Sequence, residues 1–415
     1  MVFKNIDEAR LRKLADLAVS VGINVKVGQP VVITASVEAA PFVRMCIEAA
    51  YEHGAKYVHV LWHDDLSSRL TFLNADIKEF ESIPDYRVAQ YDYFIDEKVA
   101  RLNIIDDVPG VFSGVDGDKM AAQAKAAGKA FKRYRDYTMA NHGQWTIVAV
   151  PSPGWAQLVF PNEETQVAID KMWEAILSAS RVTLDNDPVA DWKAHNEGLS
   201  LRNEKLNEYN FKALHFENGL NTDLVVGLAD DHRWAGGAEI AGNGQVFNPN
   251  IPTEENFSMP HRDRVDGTVY STKPLDYQGV LIEDFFLEFK DGKVINHGAK
   301  VNEEKLTQLL DTDEGSRHIG EVALISHDSP IQNSGILFYN TLFDENASCH
   351  LALGAAYPMN INGGTTMSED ELKTHGYNSS INHVDFMFGS ADMKITGIHH
   401  DDREVVIFEN GNFII

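Results

Sequence analysis

The first half of the chain alternates between segments with helical and with strand periodicity. Apolar residues recur at helical spacing between Ile6 and Gly22, and again between Pro41 and His53. Short runs rich in β-branched residues lie between the helices and predict strands at 31–36, 57–63, 101–106 and 146–152. Strands separated by helices of this length are typical of right-handed βαβ units. We therefore expect an N-terminal layered α/β domain with a mostly parallel sheet.

The second half of the chain has a different pattern. A polar, highly charged helix is predicted over 191–209. Residues 280–299 form two alternating runs joined by an Asp-Gly pair, which is a strong hairpin signal, and 394–415 predicts further paired strands. These patterns predict two domains: an N-terminal α/β domain over 1–187 and a C-terminal mixed α/β domain over 188–415.

The composition narrows the class of protein. The chain has 415 residues, 44% of them hydrophobic, and a net charge of −26, which fits a globular protein and not a disordered one. Such acidity argues against nucleic acid and against anionic membrane surfaces as partners. The sequence shows neither an apolar run long enough to span a membrane nor a secretory signal. Cys46 and Cys349 form no disulfide framework, so a cytoplasmic location is the default expectation.

Candidate chemistry is concentrated in the second half. His383 and Asp385 stand two apart in an apolar run that predicts a strand, so both side chains point to one face. An imidazole and a carboxylate on one face suit a divalent cation such as Zn, Co or Mn. Taken alone this pair is a weak signal, because a histidine that is hydrogen-bonded to an aspartate has the same spacing.

Glu345 and His350 are a second pair of possible ligands, and they follow a predicted strand over 339–343. Their separation of five residues does not fit one face of a regular helix. They can converge only if the segment between them is a turn or is irregular. An ordinary helix N-cap over 344–346 is the alternative interpretation.

Three further acids complete the set. Glu321 begins an apolar strand-like run, where an acid is often only solvated at an edge, and Glu254 and Glu255 follow Pro252 in what could be a plain loop. Together with the two pairs above, these acids supply the number of carboxylates and imidazoles that a dinuclear hydrolase needs. Single-motif signatures such as HExxH, a P-loop and GxSxG are absent from the sequence.

Several motifs, taken together and in this order, are more specific than any one of them. They are PTEENF, PHRDRVDGTVY, GEVALI, LFDENASCHLALGAAYP and NHVDFMFG. This series resembles the aminopeptidase T and aminopeptidase S family of cytoplasmic metallo-aminopeptidases. The N-terminal segment ARLRKLADLAVSVGINVKVGQPVVI is also similar to the start of that family, so the resemblance covers essentially the whole chain.

The resemblance implies a dinuclear metal site in the C-terminal domain. The implied ligands are Glu255, Glu321, Glu345, His350, His383 and Asp385. It also places Tyr357 close to the metals, and it implies homodimers whose active sites open into an enclosed cavity.

These observations predict a metal-dependent aminopeptidase that releases single N-terminal residues from short peptides with a free N-terminus. Two divalent ions, Zn, Co or Mn, would share a water molecule and lower its pKa. Glu254 or Glu321 would act as general base, and Tyr357 would donate a hydrogen bond to the oxyanion. His261, Arg262 and Arg264 would bind the substrate or else form a salt-bridged loop.

Other classes of function remain open from the sequence. Another dinuclear amide hydrolase, such as a dipeptidase or an amidohydrolase, would usually show an HxH or HExxH signature. A non-catalytic metal-binding protein would use the same acids as a solvated face. A nucleotide-binding enzyme fits the α/β first half, but the missing phosphate loop counts against it.

Overall fold

The chain folds into two compact units. The computed structural model describes residues 2–106 and 110–415. The first unit comprises Met1–Ala194 and Ala238–Pro252, and the second comprises His195–Gly237 and Thr253–Ile415. The division therefore falls within one long helix, between Ala194 and His195. In the described part of the chain, no helix is long and apolar enough to cross a membrane.

The first unit is built of alternating strands and helices. Its elements are α1 (Glu8–Leu17), β1 (Pro30–Ser36), α2 (Ala40–Glu52), β2 (Tyr57–His63), α3 (Asp65–Asn74), α4 (Asp85–Asp96), β3 (Ala100–Ile105), α5 (Gly117–Ala130), α6 (Lys132–Met139), β4 (Trp145–Ala149), α7 (Pro153–Val159), α8 (Thr165–Ala179) and the start of α9 (Pro188–Tyr209). Asp7 caps α1 by accepting hydrogen bonds from the backbone of Ala9 and Arg10. The helix buries Leu11 and Leu14, which lie one turn apart.

The four-stranded sheet of the first unit is parallel, as the sequence predicts. Its strand order is β2-β1-β3-β4, and every pairing is parallel. The central strand β1 is rich in valine and isoleucine and almost fully buried, which is typical of a strand covered on both faces. The predicted layered α/β architecture is confirmed.

The second unit is dominated by antiparallel strands. Two short strands, β7 (Glu239–Ile240) and β8 (Val246–Phe247), belong to the first unit. The elements of the second unit after α9 are β5 (Ala213–Glu217), β6 (Asp223–Leu228), β9 (Asn256–Ser258), β10 (Pro260–Tyr270), β11 (Leu275–Tyr277), β12 (Val280–Lys290), β13 (Lys293–Val301), α10 (Glu303–Leu310), β14 (Ile319–Leu324), α11 (Pro330–Ser334), α12 (Thr341–Asp344), β15 (His350–Gly354), α13 (Glu369–Thr374), β16 (His383–Met387), β17 (Lys394–Ile398), β18 (Glu404–Glu409) and β19 (Asn412–Phe413). The predicted hairpin over 280–299 is present as β12 and β13.

Two sheets organise the second unit. The larger sheet has the order β11-β12-β10-β6-β5-β17-β18-β19, with β13 paired to β12. The smaller sheet has the order β16-β15-β14-β9 and is antiparallel throughout. Apolar side chains from both sheets share one core, which includes Phe216, Phe285, Val322 and Leu351. The strands of the smaller sheet carry four of the sequence-predicted site residues: Glu321, His350, His383 and Asp385.

One predicted element is wrong. Residues 339–343 do not form a strand, because Asn340 accepts a hydrogen bond from the backbone of Leu342 and caps α12. Tyr339 adopts a positive φ of 53°, which breaks any extended run. The next residues, Glu345–Ala347, form a 3-10 turn before β15 begins at His350. The segment between Glu345 and His350 is therefore irregular, as convergence of the two residues requires.

Candidate metal centre

One face of the smaller sheet carries the charged residues. Successive side chains of a strand point to opposite faces. Val322 on β14, Leu351 and Leu353 on β15, and Phe386 on β16 all point into the hydrophobic core. The residues that alternate with them point to the other face. They include Glu321 and Ala323 on β14, His350 and Ala352 on β15, and His383 and Asp385 on β16. The apolar face therefore anchors the sheet, and the opposite face carries the charged groups.

Strand register brings the carboxylates of this face together. Glu321 is opposite Ala352, and Ala352 is opposite Asp385, so the three residues form one row across β14, β15 and β16. A methyl group in the middle of the row leaves room for the two longer side chains to converge above it. Glu255 immediately precedes β9, the fourth strand of the sheet.

A β-bulge at Gly320 determines which face Glu321 joins. Ile319 pairs with Leu353, yet Glu321 pairs with Ala352, so one extra residue lies on β14. Without the bulge, Glu321 would pair with Leu351 and point into the core. Only glycine fits at the bulge, because a Cβ atom there would lie 2.3 Å from the carbonyl oxygen of Ala355.

The side chains form two trios that share Glu321. In the first trio, His350 Nε2 lies 3.5 Å from Glu255 Oε2 and 3.4 Å from Glu321 Oε1. In the second, His383 Nε2 lies 3.6 Å from Glu321 Oε2 and 3.5 Å from Asp385 Oδ1. The ligand atoms within each trio all lie within 4.8 Å of one another. Glu321 thus directs one oxygen to each histidine.

Backbone carbonyls orient both imidazoles. His350 Nδ1 lies 2.9 Å from the carbonyl oxygen of Glu345, and His383 Nδ1 lies 2.7 Å from that of Ala355. A carbonyl can only accept, so Nδ1 carries the hydrogen in each ring. In the neutral ring, Nε2 then presents its lone pair to the carboxylates. This is the hydrogen-bonding arrangement that metal-ligating histidines commonly have.

The donor set fits divalent cations. A tetrahedral zinc ion with bonds of about 2.0–2.2 Å holds neighbouring ligand atoms about 3.4 Å apart. The nitrogen–oxygen distances of both trios, 3.4–3.6 Å, match this separation. They are long for hydrogen bonds, and two lone pairs at this distance repel unless a proton or a cation lies between them. Carboxylate and imidazole ligands suit Zn, Co or Mn.

Protons are the competitors of a cation at this cluster. Burial, reinforced by the charge of Glu321, raises the pKa of Glu255 to about 8. Burial alone would lower the pKa of His350, but the Glu321 hydrogen bond and the charge of Asp385 raise it to about 9. Since ligands bind metals in their deprotonated form, a cation that binds here displaces protons, and binding strengthens as the pH rises.

Glu345 and Tyr357 lie beside the two trios without belonging to either. Burial, reinforced by the charge of Asp385, raises the pKa of Glu345 well above its ordinary value. The ring of Tyr357 lies 4.7 Å from the His383 ring, centroid to centroid. Burial, reinforced by the charge of Glu321, raises the pKa of Tyr357, so its hydroxyl keeps its proton and remains a hydrogen-bond donor.

Glu254 belongs to neither trio. Its carboxylate is 3.7 Å from His195 Nε2 on α9, whereas Glu255 points to His350. The Glu254 backbone N–H donates to Asn346 Oδ1, and His195 Nε2 lies 2.8 Å from the carbonyl oxygen of Thr253. His195 and Asn346 therefore fix the backbone before Glu255. Sequence reasoning did not single them out, because their partners are main-chain atoms distant in sequence.

The histidine and the two arginines of the PHRDR motif lie on β10. Arg264 forms an ion pair with Asp230 at 2.8 Å, and Arg262 forms one with Glu314. His261 Nδ1 accepts a hydrogen bond from the backbone of Asp263. Both arginines have acidic partners within the protein, as the salt-bridged alternative requires.

Comparison with known proteins extends these findings. The family model described as "Thermophilic metalloprotease (M29)" matches residues 7–413. Aminopeptidase 2 of Geobacillus stearothermophilus is 45% identical over 406 residues, covering 98% of each chain. Aminopeptidase AmpS of Bacillus subtilis is 45% identical over 404 residues, covering 97% of this chain and 98% of its own. Wild-type AmpT from Thermus thermophilus has a TM-score of 0.91 at 39% identity, covering 98% of this chain and 100% of that chain.

The fold, the cluster of carboxylates and imidazoles on one sheet face, and these relatives together identify the chain as a metal-dependent peptide hydrolase. The chain belongs to the M29 family of metalloproteases. The resemblance predicted from the motifs is confirmed, and at the level of the family so is the metal-dependent aminopeptidase function. Divalent metal is accordingly the cofactor of the family to which the chain belongs.

The bulge generates a direct prediction. Gly320→Ala should lower the free energy of unfolding by about 1–3 kcal/mol, because the new methyl group collides with the carbonyl that anchors His383. It should also weaken metal binding, measured by competition with a chelator. Gly198→Ala on α9 is the matched control, since a Cβ there meets no atom within 4 Å. Equal metal affinity in Gly320→Ala and the wild type would contradict the role given to the bulge.

Proposed function

We propose that the protein is an aminopeptidase that releases single N-terminal residues from short peptides at this cluster. Glu255, Glu321 and His350 would hold one divalent ion, and Glu321, His383 and Asp385 would hold a second. Zn, Co and Mn are the metals that this donor set favours. The observation that supports the proposal most strongly is the sharing of Glu321 by two histidines whose Nε2 atoms lie 3.4 and 3.6 Å from its two oxygens.

The chain's own residues supply the remaining steps of the reaction. When bound, the cations would supply Lewis acidity, which lowers the pKa of water and polarises the scissile carbonyl. The cations would also accept the nitrogen lone pair of a peptide's free α-amine, which would select a free N-terminus. Tyr357, protonated and beside His383, donates a hydrogen bond to the oxyanion that develops on the carbonyl.

Transfer of a proton from the attacking water to the leaving amine requires a carboxylate beside the cluster. Glu345 is the candidate for this step, because its buried carboxylate interacts electrostatically with Asp385, Glu255 and Glu321 and belongs to neither trio. Glu345 as a metal ligand and Glu254 as general base stay predictions from the sequence. The contact of Glu254 with His195 favours an orienting role for Glu254 over direct proton transfer.

The ligand assignment predicts a severe loss of activity on substitution. His383→Ala and Asp385→Asn should each lower kcat/KM for a leucyl anilide about 100-fold or more, because the second cation loses one of its three proposed protein ligands. Circular dichroism should show an unchanged fold, and chelator competition should show weaker metal binding. The control is His215→Ala, which removes a histidine that pairs with Asp223 at the surface of the same unit. Full activity in His383→Ala would refute the assignment.

Recognition of a free α-amine makes a second prediction. Leucyl p-nitroanilide should be hydrolysed at least 100-fold faster, in kcat/KM, than its N-acetyl derivative, because acetylation turns the α-amine into an amide whose nitrogen is a poor ligand for a cation. Both substrates are compared by absorbance with the same metal-loaded preparation. Comparable rates would favour an endopeptidase or an amidohydrolase instead.

We also propose that the protein is cytoplasmic and forms a homodimer, in which association limits access of folded proteins to the site. Two chains of −26 bring together a charge of −52, so self-repulsion opposes association. A stable interface must therefore be largely apolar and bury about 2,000 Å² or more. Closed two-fold dimers are the commonest homo-oligomers.

Light scattering tests the proposed homodimer. The chain has a mass of 46.2 kDa, so a dimer should scatter as a particle of about 92 kDa at micromolar concentration. Raising the ionic strength should favour it, because salt screens the repulsion between acidic chains. A fully active particle of the monomer mass at both micromolar and nanomolar concentration would overturn the dimer without affecting the metal chemistry.

A further inference from the structure

Phe257 is a large apolar side chain on the charged face of the smaller sheet, and Met387, which is opposite His350, is another. Phe257 on β9 is opposite Ala323 on β14, and Ala323 is opposite His350 on β15. The side chain of Phe257 therefore points to the same face as Glu321 and His350. The flanking residues of β9, Asn256 and Ser258, point the other way and are fully buried.

Phe257 differs from the apolar residues of the neighbouring strands. Val322, Leu351 and Leu353 are fully buried in the core on the opposite face. Phe257 keeps part of its ring accessible, although it stands in the middle of a short, well-paired strand. Phe257 is therefore not part of the hydrophobic core that Val322, Leu351 and Leu353 share.

Ring contacts connect Phe257 to the centre. Its ring meets that of Tyr357 edge to face, with centroids 6.4 Å apart and planes at 76°. The Tyr357 ring in turn lies 4.7 Å from the His383 imidazole. Phe257 and Tyr357 thus form a continuous aromatic surface that ends at one histidine of the second trio.

The distance between Glu255, which immediately precedes β9, and Phe257 suits the binding of an N-terminal residue. Glu255 and Phe257 are two positions apart, which is about 6.6–6.8 Å in an extended chain. A peptide whose α-ammonium group lies near Glu255 would place the side chain of its first residue a few ångströms away along the same face. Ala323, which has only a methyl group, is the residue between Phe257 and His350 in this row.

We propose that Phe257, with the ring of Tyr357, forms the apolar wall that contacts the side chain of the substrate's N-terminal residue. This inference rests on the proposed aminopeptidase function and adds its specificity. Peptides that begin with leucine or phenylalanine bury apolar surface against this wall, whereas glycine makes no such contact. Phe257 is a specificity-determining residue here and takes no part in bond making or breaking.

The test compares substrates that differ only in the first side chain. In Phe257→Ala, kcat/KM for leucyl p-nitroanilide should fall about 10-fold or more, while that for glycyl p-nitroanilide should change by less than about 3-fold. Phe257→Leu should restore most of the preference for leucine, because it restores apolar surface. Phe286→Ala is the matched control, since Phe286 is a half-buried ring of β12 in the same unit that packs against Tyr270.

A role in supporting Tyr357 alone would give a different result. In that case Phe257→Ala would lower kcat/KM for both anilides by the same factor, and the proposal would be overturned. Unchanged kcat/KM values for both anilides in Phe257→Ala would also overturn it.

A binding measurement keeps this inference separate from the aminopeptidase proposal. Calorimetry with the metal-loaded protein should show leucinamide binding more tightly than glycinamide, and Phe257→Ala should remove that difference. If the wild type cleaves neither anilide, the proposed function fails, but this binding difference still decides the role of Phe257. Equal binding of the two amides by the wild type would refute the apolar wall.

Discussion

The arrangement of the site depends on one irregularity, the bulge at Gly320. It moves Glu321 from the core face of β14 to the face that carries His350, His383 and Asp385. The close approach of the Ala355 carbonyl allows only glycine there, and the same carbonyl accepts the Nδ1 hydrogen of His383. A single backbone feature thus sets the shared carboxylate and orients one of the two imidazoles.

The electrostatics of the cluster follow from this geometry. Four carboxylates and two imidazoles share a largely buried site, and burial disfavours their charges unless cations or protons balance them. Backbone carbonyls direct both Nε2 atoms toward the carboxylates, where either a proton or a cation can lie between them.

The sequence predicts much of this structure, and there are physical reasons why it does not predict the rest. Period-two spacing places His383 and Asp385 on one face, and β-branched runs identify the strands of the parallel sheet. Register and bulges depend on pairing between distant segments, so the row formed by Glu321, Ala352 and Asp385 is not legible in any local pattern. The false strand over 339–343 shows the same limit, because an asparagine cap there outweighs β propensity. The complete candidate set came from family motifs, whereas His195 and Asn346 act through main-chain contacts that no motif marked.

The central claim is that two cations share Glu321, and anomalous diffraction from crystals grown with Mn²⁺ or Zn²⁺ tests it most directly. Two anomalous peaks per chain are expected, about 3.5–4 Å apart. One should lie beside His350 and Glu255, the other beside His383 and Asp385, with one oxygen of Glu321 on each. A single peak, or two peaks that do not both contact Glu321, would contradict the account.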